Sequence, residues 1–301
     1  GTISDIVPLS NENRIIVKEG LKVINNIPAK GIKALMSASG ASDKEIGSAE
    51  VSYQLAPRIN ACGRLGKADI AVEMLLTNDE EWANQTAIYF ENQNRNRKII
   101  ENKIMERAEK IIEEQFDHEK DKIIVIAEEK WHQGVVGIIA SRLVEKYNRP
   151  SIVISLENGL GKGSGRSIPA FNLYKALEKH SDLLISYGGH SAAAGISIKA
   201  EKICELKEKL NCDLSNELTE KDFAPVLNAD LEIEAEELDT ALVQEIALLA
   251  PFGYHNPYPI LVLRSKKITD CKRVGAQGNH LKLRISSGAS YFDAIAFKKG
   301  D

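Results

Sequence analysis

Four short clusters in this sequence set basic or titratable side chains among very small ones. Residues 56–64 (A-P-R-I-N-A-C-G-R) carry Arg58, Asn60 and Arg64 beside Pro57 and Gly63. Two arginines and an asparagine around a turn suit a grip on phosphate oxygens, which a guanidinium can make with two parallel donors. The same pair would serve equally to tie down a loop. Residues 131–138 (W-H-Q-G-V-V-G-I) place His132 just ahead of a helical stretch. Residues 159–167 (G-L-G-K-G-S-G-R-S) alternate glycine with Lys162, Ser164 and Arg166 and end on Ser167. Alternating glycines let a backbone approach a ligand, and Ser164, Arg166 and Ser167 supply donors for a phosphate; the plainer reading is a flexible hairpin. The spacing fits neither G-x-G-x-x-G nor the P-loop. Residues 187–195 (Y-G-G-H-S-A-A-A-G) surround His190 with glycines and alanines. Gly188 and Gly189 open backbone conformations closed to other residues, and residues 192–194 allow a helix to start close to a ligand. A lone histidine is more often structural, but neighbours this small point to a cleft lined by backbone.

No Ser–His–Asp arrangement, H-E-x-x-H motif or paired carboxylates accompany these clusters. Asp5 stands alone at the end of a strand-like run, and one carboxylate cannot hold a catalytic pair of metal ions.

These side chains need elements to position them. Residues 122–127 and 151–156 read as buried strands around a helix over 135–147. A helix over 173–180, a strand over 195–199 and a helix over 201–210 follow. Such alternation predicts an α/β domain of about 100 residues. His132 then falls between strand and helix, at the sheet edge where ligands meet a helix N-terminus. Upstream, residues 14–24, 29–39 and 69–76 read as helices and residues 51–65 as irregular. From residue 80 to 115 there is neither proline nor glycine, which predicts one helix roughly 50 Å long, capped by residues 78–80. Its polar stretch 91–98 (E-N-Q-N-R-N-R-K) predicts a bridge between two domains across solvent, or else a surface helix on one of them. Past residue 217, strand-like runs at 226–233, 260–268, 281–285 and 291–297, with a short helix over 242–249, predict a small OB-type barrel seen incompletely.

The composition limits the function classes. At 301 residues, 43% hydrophobic and 27% charged, the chain reads as a soluble globular protein of two to three domains. It has no run of membrane-spanning length and no signal peptide. Cys62, Cys204, Cys212 and Cys271 are scattered without a C-x-x-C pair, so neither disulfides nor zinc are expected in a cytoplasmic setting. A net charge of -4 excludes wholesale polyanion binding and confines any phosphate site to a local patch. Residues 200–239 are acidic and residues 263–299 basic. Both ends read as cut from a longer protein.

Taken in order, residues 1–9 (G-T-I-S-D-I-V-P-L), 56–65, 131–143, 163–167 (G-S-G-R-S) and 188–195 (G-G-H-S-A-A-A-G) resemble the DHH phosphoesterase family, in its branch of single-strand-specific DNA exonucleases. The resemblance runs the whole chain, and five linked motifs are specific where one would be weak. It implies an α/β multidomain protein. Residues 1–45 would be the remnant of a DHH catalytic domain, and 46–118 would carry the R-I-N-A-C-G-R segment and a long interdomain helix. Residues 119–216 would form the mixed-sheet DHH-associated domain, and 217–301 a partial OB-like barrel. It also implies two-metal hydrolysis with Mn2+ or Mg2+, for which Asp5 would be the last ligand. The D-x-D and D-H-H motifs that supply the others are not in this chain, so the chain alone is expected to be inactive.

The family degrades single-stranded DNA from the 5′ end in repair and recombination. By resemblance Ser164 and Arg166 would hold the terminal phosphate. Arg58 and Arg64 would contact phosphates near the scissile bond, and His132 and His190 would line the cleft, Arg58 and His190 serving in catalysis. Asn60, Ser167 and Gly189 would be further substrate-binding residues. A single-strand-binding protein or a helicase would be a partner, and no membrane is implied. Two positions depart from the family pattern. His255 stands where glycine is usual, which leaves its turn open, and Gly165 replaces a residue commonly alanine, a harmless change. The alternatives are a non-catalytic single-strand-binding module and a DHH phosphodiesterase acting on short oligonucleotides; Asp5 speaks against the first, the 56–65 cluster and the OB-like tail against the second.

Overall fold

The structure, a computed structural model, describes residues 1–65, 68–117, 120–264, 266–287 and 290–300. The expected boundary at 118/119 lies outside these residues. In chain order the elements begin with α1 (Asn11–Asn26), α2 (Lys30–Ser39) and a single turn, α3 (Ser48–Glu50). A π-helical turn (Val51–Leu55) leads into α4 (Ala56–Leu65), α5 (Asp69–Leu76) and α6 (Glu80–Gln115). The α/β part comprises β1 (Ile124–Glu129), α7 (Gln133–Tyr147), β2 (Ser151–Glu157), β3 (Leu160–Arg166), α8 (Leu173–Lys179), β4 (Leu184–His190), β5 (Ala193–Lys199) and α9 (Ile203–Glu217). Then come β6 (Leu231–Glu232), α10 (Thr240–Ala247), β7 (Leu261–Val262), β8 (Lys267–Val274), β9 (His280–Ser287) and β10 (Ser290–Ala296). Residues 24–46 and 50–226 pack as one compact unit; residues 1–23, 47–49 and those from Leu227 onward pack as another.

The larger unit is built on a five-stranded mixed sheet ordered β1-β2-β3-β5-β4, with β1 and β2 parallel and the rest antiparallel. β1 and β2 are apolar on successive residues because both their faces are covered. Val153, Ile124 and Ile126 face α7 and the second half of α6 (Ile104, Ala108, Ile111). Ile152, Ile154, Ile196 and Ile198 face α8 and α9 (Leu173, Leu177, Leu206, Leu210, Leu214). Asn158 and Gly159 both take positive φ (51° and 77°) and turn β2 tightly into β3, as an Asn-Gly pair does in a two-residue hairpin.

Three expectations about this unit are corrected. Residues 51–65 are not irregular but helical throughout; Pro57 follows directly on the π-helical turn, and no Cβ at Gly63 would meet a neighbour. Residues 160–166 form a central strand, one arm of the β2–β3 hairpin and paired on its other side with β5, not a flexible segment. Residues 192–194 open a strand, not a helix. The long helix has the expected span and is capped by Asp79, which accepts from the Trp82 N–H at 3.0 Å. Its polar stretch is solvated on one side, where Asn92, Arg95, Asn96 and Lys98 are exposed, and packed on the other, where Asn94 is 1% exposed. Glu91 pairs with Arg58, and Arg97 pairs with Glu101, which also takes Arg142 of α7.

A further polar group is buried between α8 and α9. The Asp213 carboxylate meets His180 Nε2 at 2.7 Å and Lys179 Nζ at 2.5 Å. Burial alone would push this carboxyl up, but the hydrogen bonds from Lys179 and His180 outweigh it and hold it below the ordinary Asp range. A depressed folded-state pKa means the stabilisation is present above the unfolded value of about 3.9 and is lost as pH falls through the folded value. Asp213→Asn is therefore expected to lower stability by about 2 kcal/mol at pH 7. Urea denaturation at pH 7 and at pH 2 checks this: the gap to wild type should shrink in acid, and a gap independent of pH would refute the linkage.

In the smaller unit the opening residues are a turn, not the end of a strand. The Asp5 amide bonds to the Gly1 carbonyl (2.9 Å) and that of Val7 to Thr2 (3.2 Å), so these amides are used locally. Leu9 then donates to the Tyr254 carbonyl (2.7 Å), and Arg14 reaches the carbonyls of Leu249 (2.6 Å) and Ala250 (3.3 Å). The turn so gripped contains His255 at φ 63°, so the histidine adopts the left-handed conformation that glycine takes easily. β8, β9 and β10 form an antiparallel sheet and β6 pairs with β7. The expected run 226–233 is strand only at Leu231–Glu232, and 260–268 divides between β7 and the start of β8.

Candidate nucleic-acid interface

Pairing across β3, β5 and β4 determines which side chains share a face. Arg166 pairs with Ala193 and Ala193 with His190; Ser164 pairs with Gly195 and Gly195 with Gly188; Lys162 pairs with Ser197 and Ser197 with Ser186. Partners in register point to the same side of a sheet. Three rungs result: one with a cation and an imidazole at its ends, one almost bare, and one with a cation and two hydroxyls. With strands about 4.8 Å apart, Arg166 and His190 stand about 10 Å apart across β5. α7 lies over β2 and β3 on this side, and the rungs border an open groove of about 400 Å³ lined by Gln133, Lys162, Ser164, Gly188, Gly195 and Ser197, among others.

The glycines of β3 belong to the other face. A Cβ on Gly161 would lie 2.7 Å from Ile154 Cγ2, and one on Gly163 would lie 2.9 Å from both Ile154 and Ile196. A Cβ on Gly165 would come within 2.7 Å of Leu173 Cδ2 and 3.3 Å of Ile152 Cγ1. Alternation at period two thus makes room for the isoleucines of neighbouring strands, not for a ligand. An alanine at 165 would need the end of the Leu173 side chain to give way.

Arg166 and Arg64 place positive charge beside the groove: Arg166 contacts its lining residue Ser164, and Arg64 contacts Gly134, next to its lining residue Gln133. Arg166 donates to Ser164 Oγ (3.0 Å) and to the Gly165 carbonyl (2.8 Å). It lies so close to α7 that a Cβ on Gly137 would be 3.0 Å from Ser164 Oγ and 3.4 Å from Arg166 Nη2. Arg64, at the end of α4, reaches the Gly134 carbonyl at the start of α7 (3.0 Å). Burial and the neighbouring Arg64 push the Arg166 guanidinium below its ordinary range. Burial and Arg97 do the same to Arg64 against a smaller opposing pull from Glu101. Among the described residues neither Arg64 nor Arg166 has a carboxylate within ion-pair distance. Two crowded guanidinium groups without a directly paired carboxylate suit an anion.

The two histidines are held alike. His132 caps α7, its Nδ1 accepting from the Gly134 N–H at 3.1 Å; His190 Nδ1 accepts from the Ala192 N–H at 3.3 Å across the β4–β5 turn. With Nδ1 occupied as acceptor, the neutral rings carry their proton on Nε2, a donor available to a ligand. Gly189 makes the second arrangement achievable. It takes φ 141°, and any Cβ there would lie 2.2 Å from the Ala193 carbonyl oxygen.

Other expected site residues lie elsewhere or do other work. Arg58 is buried: its Nε meets Glu91 Oε2 at 2.5 Å and its Nη1 donates to the Gln54 carbonyl, which pins α4 to α6. Asn60 is exposed on α4, one turn before Arg64 and on the same face. The Ser167 hydroxyl donates to the Phe171 carbonyl (2.8 Å) and braces the loop before α8. Cys62 is buried, its thiol pushed up to about 11, and takes no part. Asp5 is exposed in its turn in the other unit. Among the described residues no three or more His, Cys, Asp or Glu converge as a metal site, so the residues present do not by themselves fit a pair of divalent ions. Sequence reasoning missed Lys162, Ser186 and Ser197. The signal was present in the period-two alternation, which puts Lys162 on the face of Ser164 and Arg166.

Residues 120–216 match the DHHA1 domain, and residues 229–301 match the RecJ OB domain. The single-stranded-DNA-specific exonuclease RecJ of Bacillus subtilis is 38% identical over this entire chain. The chain belongs to the RecJ family. It spans 38% of the length of that Bacillus relative. The crystal structure of RecJ from Thermus thermophilus in complex with Mg2+ superposes with a TM-score of 0.84 at 32% identity, covering all of this chain and 45% of that one. The Mn2+ complex of the same RecJ gives 0.82, covering 43% of that chain. RecJ membership accounts for the mixed α/β sheet followed by an OB domain. Among the described residues no helix is long and apolar enough to cross a membrane.

Proposed function

We propose that this chain is the single-strand-binding part of a single-stranded-DNA-specific exonuclease acting 5′ to 3′. The observation that carries it is the Arg64–Arg166 pair, two guanidinium groups crowded beside a polar groove with no carboxylate paired to either among the described residues. Arg166 with Ser164 would bind the 5′-terminal phosphate. Arg64, with Asn60 on the same helix face, would bind the next phosphate. His132 and His190 would donate from Nε2 to phosphate oxygens, His190 nearest the reacting phosphate and placed by Gly189. Arg58 and Ser167 would support the site through α4 and the loop before α8. The OB domain would extend the track by charge and by stacking on exposed aromatic residues such as Tyr291.

The RecJ structures in complex with Mg2+ and Mn2+ support divalent ions as the source of the activated water in the whole protein. Asp5 is the residue of this chain assigned to them, and the other ligands would lie outside the chain; no hydrolytic step is assigned to the residues described above. We place the whole protein in the cytoplasm, in DNA repair and recombination, with single-stranded DNA as substrate and a single-strand-binding protein or helicase as partner. The domain division proposed is 1–45, 46–118, 119–216 and 217–301.

Competition on the intact protein tests the reading. A long single strand of DNA should displace a labelled oligonucleotide at far lower concentration than a dinucleotide does. Preference for the dinucleotide would instead favour a phosphodiesterase of short oligonucleotides.

A further inference from the structure

Within that reading, the third rung of the groove has no assigned role. Lys162 stands on the face of Ser164 and Arg166, in register with Ser197 and, through it, with Ser186. All three line the groove. Lys162 is exposed, and among the described residues no carboxylate lies within ion-pair distance of it. It is four residues from Arg166 on one strand, about 13 Å at 3.3 Å per residue. The rung between them is almost bare. Gly195 and Gly188 take ordinary backbone conformations, and a Cβ on either would meet nothing within 4 Å. The packing that demands glycine at 161, 163, 165 and 189 therefore makes no such demand at these two. What an added methyl would occupy there is the groove itself.

We propose that Lys162, with the hydroxyls of Ser186 and Ser197, forms a second phosphate-binding position for the single strand. The Gly195–Gly188 rung would receive a nucleoside between this position and the phosphates held by Arg166 and Arg64. The ammonium supplies charge without a fixed direction and the two hydroxyls supply directed donors, so this position takes a backbone phosphate of variable approach. The rung carries no group suited to reading a base edge, which predicts contact independent of sequence.

The test uses the intact protein with metal chelated, so that binding is measured without cleavage. Affinity for a 5′-phosphorylated tetranucleotide and for a nucleoside 5′-monophosphate is measured by competition against a labelled single strand over a range of salt. Lys162→Ala should weaken the tetranucleotide about fivefold, as expected for one exposed charge contact. It should lower the salt slope for the single strand by about 0.7, the value for one phosphate contact. The penalty should be smaller for the monophosphate, which spans one position only. Gly195→Ala should leave thermal stability intact while weakening the tetranucleotide. An unchanged salt slope, or an equal penalty for both ligands, would overturn the second position. If Arg166→Ala abolishes discrimination of 5′-phosphate while Lys162→Ala changes nothing, this inference alone fails. If wild type does not bind single strands, the proposed function fails with it.

Discussion

Replacing Arg166 by alanine in the intact protein is expected to weaken binding of 5′-phosphorylated single strands by roughly 30- to 100-fold and to leave 5′-hydroxyl strands nearly unaffected. The magnitude is that of a charge-assisted hydrogen bond pair, about 2–3 kcal/mol. The guanidinium is half-buried against α7 and shares its surroundings with Arg64, and both burial and the like charge depress its pKa. An incoming phosphate relieves both effects at once. Arg166→Lys should recover part of the loss, because it restores the charge but not the fork. Equilibrium binding to the two kinds of end measures the effect. Equal losses on both ends would mean that Arg166 supports the fold of the groove and does not read the phosphate.

Gly189→Ala should be the most damaging single methyl group near the groove, costing about 3 kcal/mol of stability together with single-strand binding. The φ of 141° is closed to L-residues with a side chain, and strain of this kind costs about 1–3 kcal/mol. The added Cβ would also lie 2.2 Å from the Ala193 carbonyl oxygen and 2.7 Å from Ala194 Cα, backbone atoms that move only if the β4–β5 pairing opens. His190, the next residue, depends on that turn for its bond to the Ala192 amide. Gly188→Ala is the control. It sits one residue away with nothing within 4 Å, and its stability should stay at or slightly above wild type. Thermal denaturation of the two variants decides the matter, and similar midpoints would show that the hairpin tolerates a side chain at 189.

Much of this fold was legible because its signals are local. The isoleucine and valine runs of β1 and β2 mark strands buried on both faces. The absence of proline and glycine from 80 to 115, with Asp79 ahead of Glu80 and Glu81, marks one helix and its start. Residues 51–65 were misread because Pro57 and Gly63 look like loop punctuation, whereas α4 is held by Arg58 reaching Glu91 from 33 positions away. The packed side of the polar centre of α6 was not legible for the same reason: its partners there come from α4 and α7.

For the site, the residue types and their order along the chain were in the sequence: Arg64, His132, Ser164, Arg166 and His190 stand among small neighbours and all border one region of the sheet or α7. What the sequence could not say is which glycines serve the core and which leave the groove open, because a glycine reads the same in either place. Strand register decides that. The sheet sets Gly161, Gly163 and Gly165 against isoleucine and leucine side chains and leaves Gly188 and Gly195 facing space. It brings Arg166 level with His190 and adds Lys162 to their face. Register is a relation between strands distant in sequence, set by hydrogen bonding and by burial of one face, so only the tertiary structure could supply it.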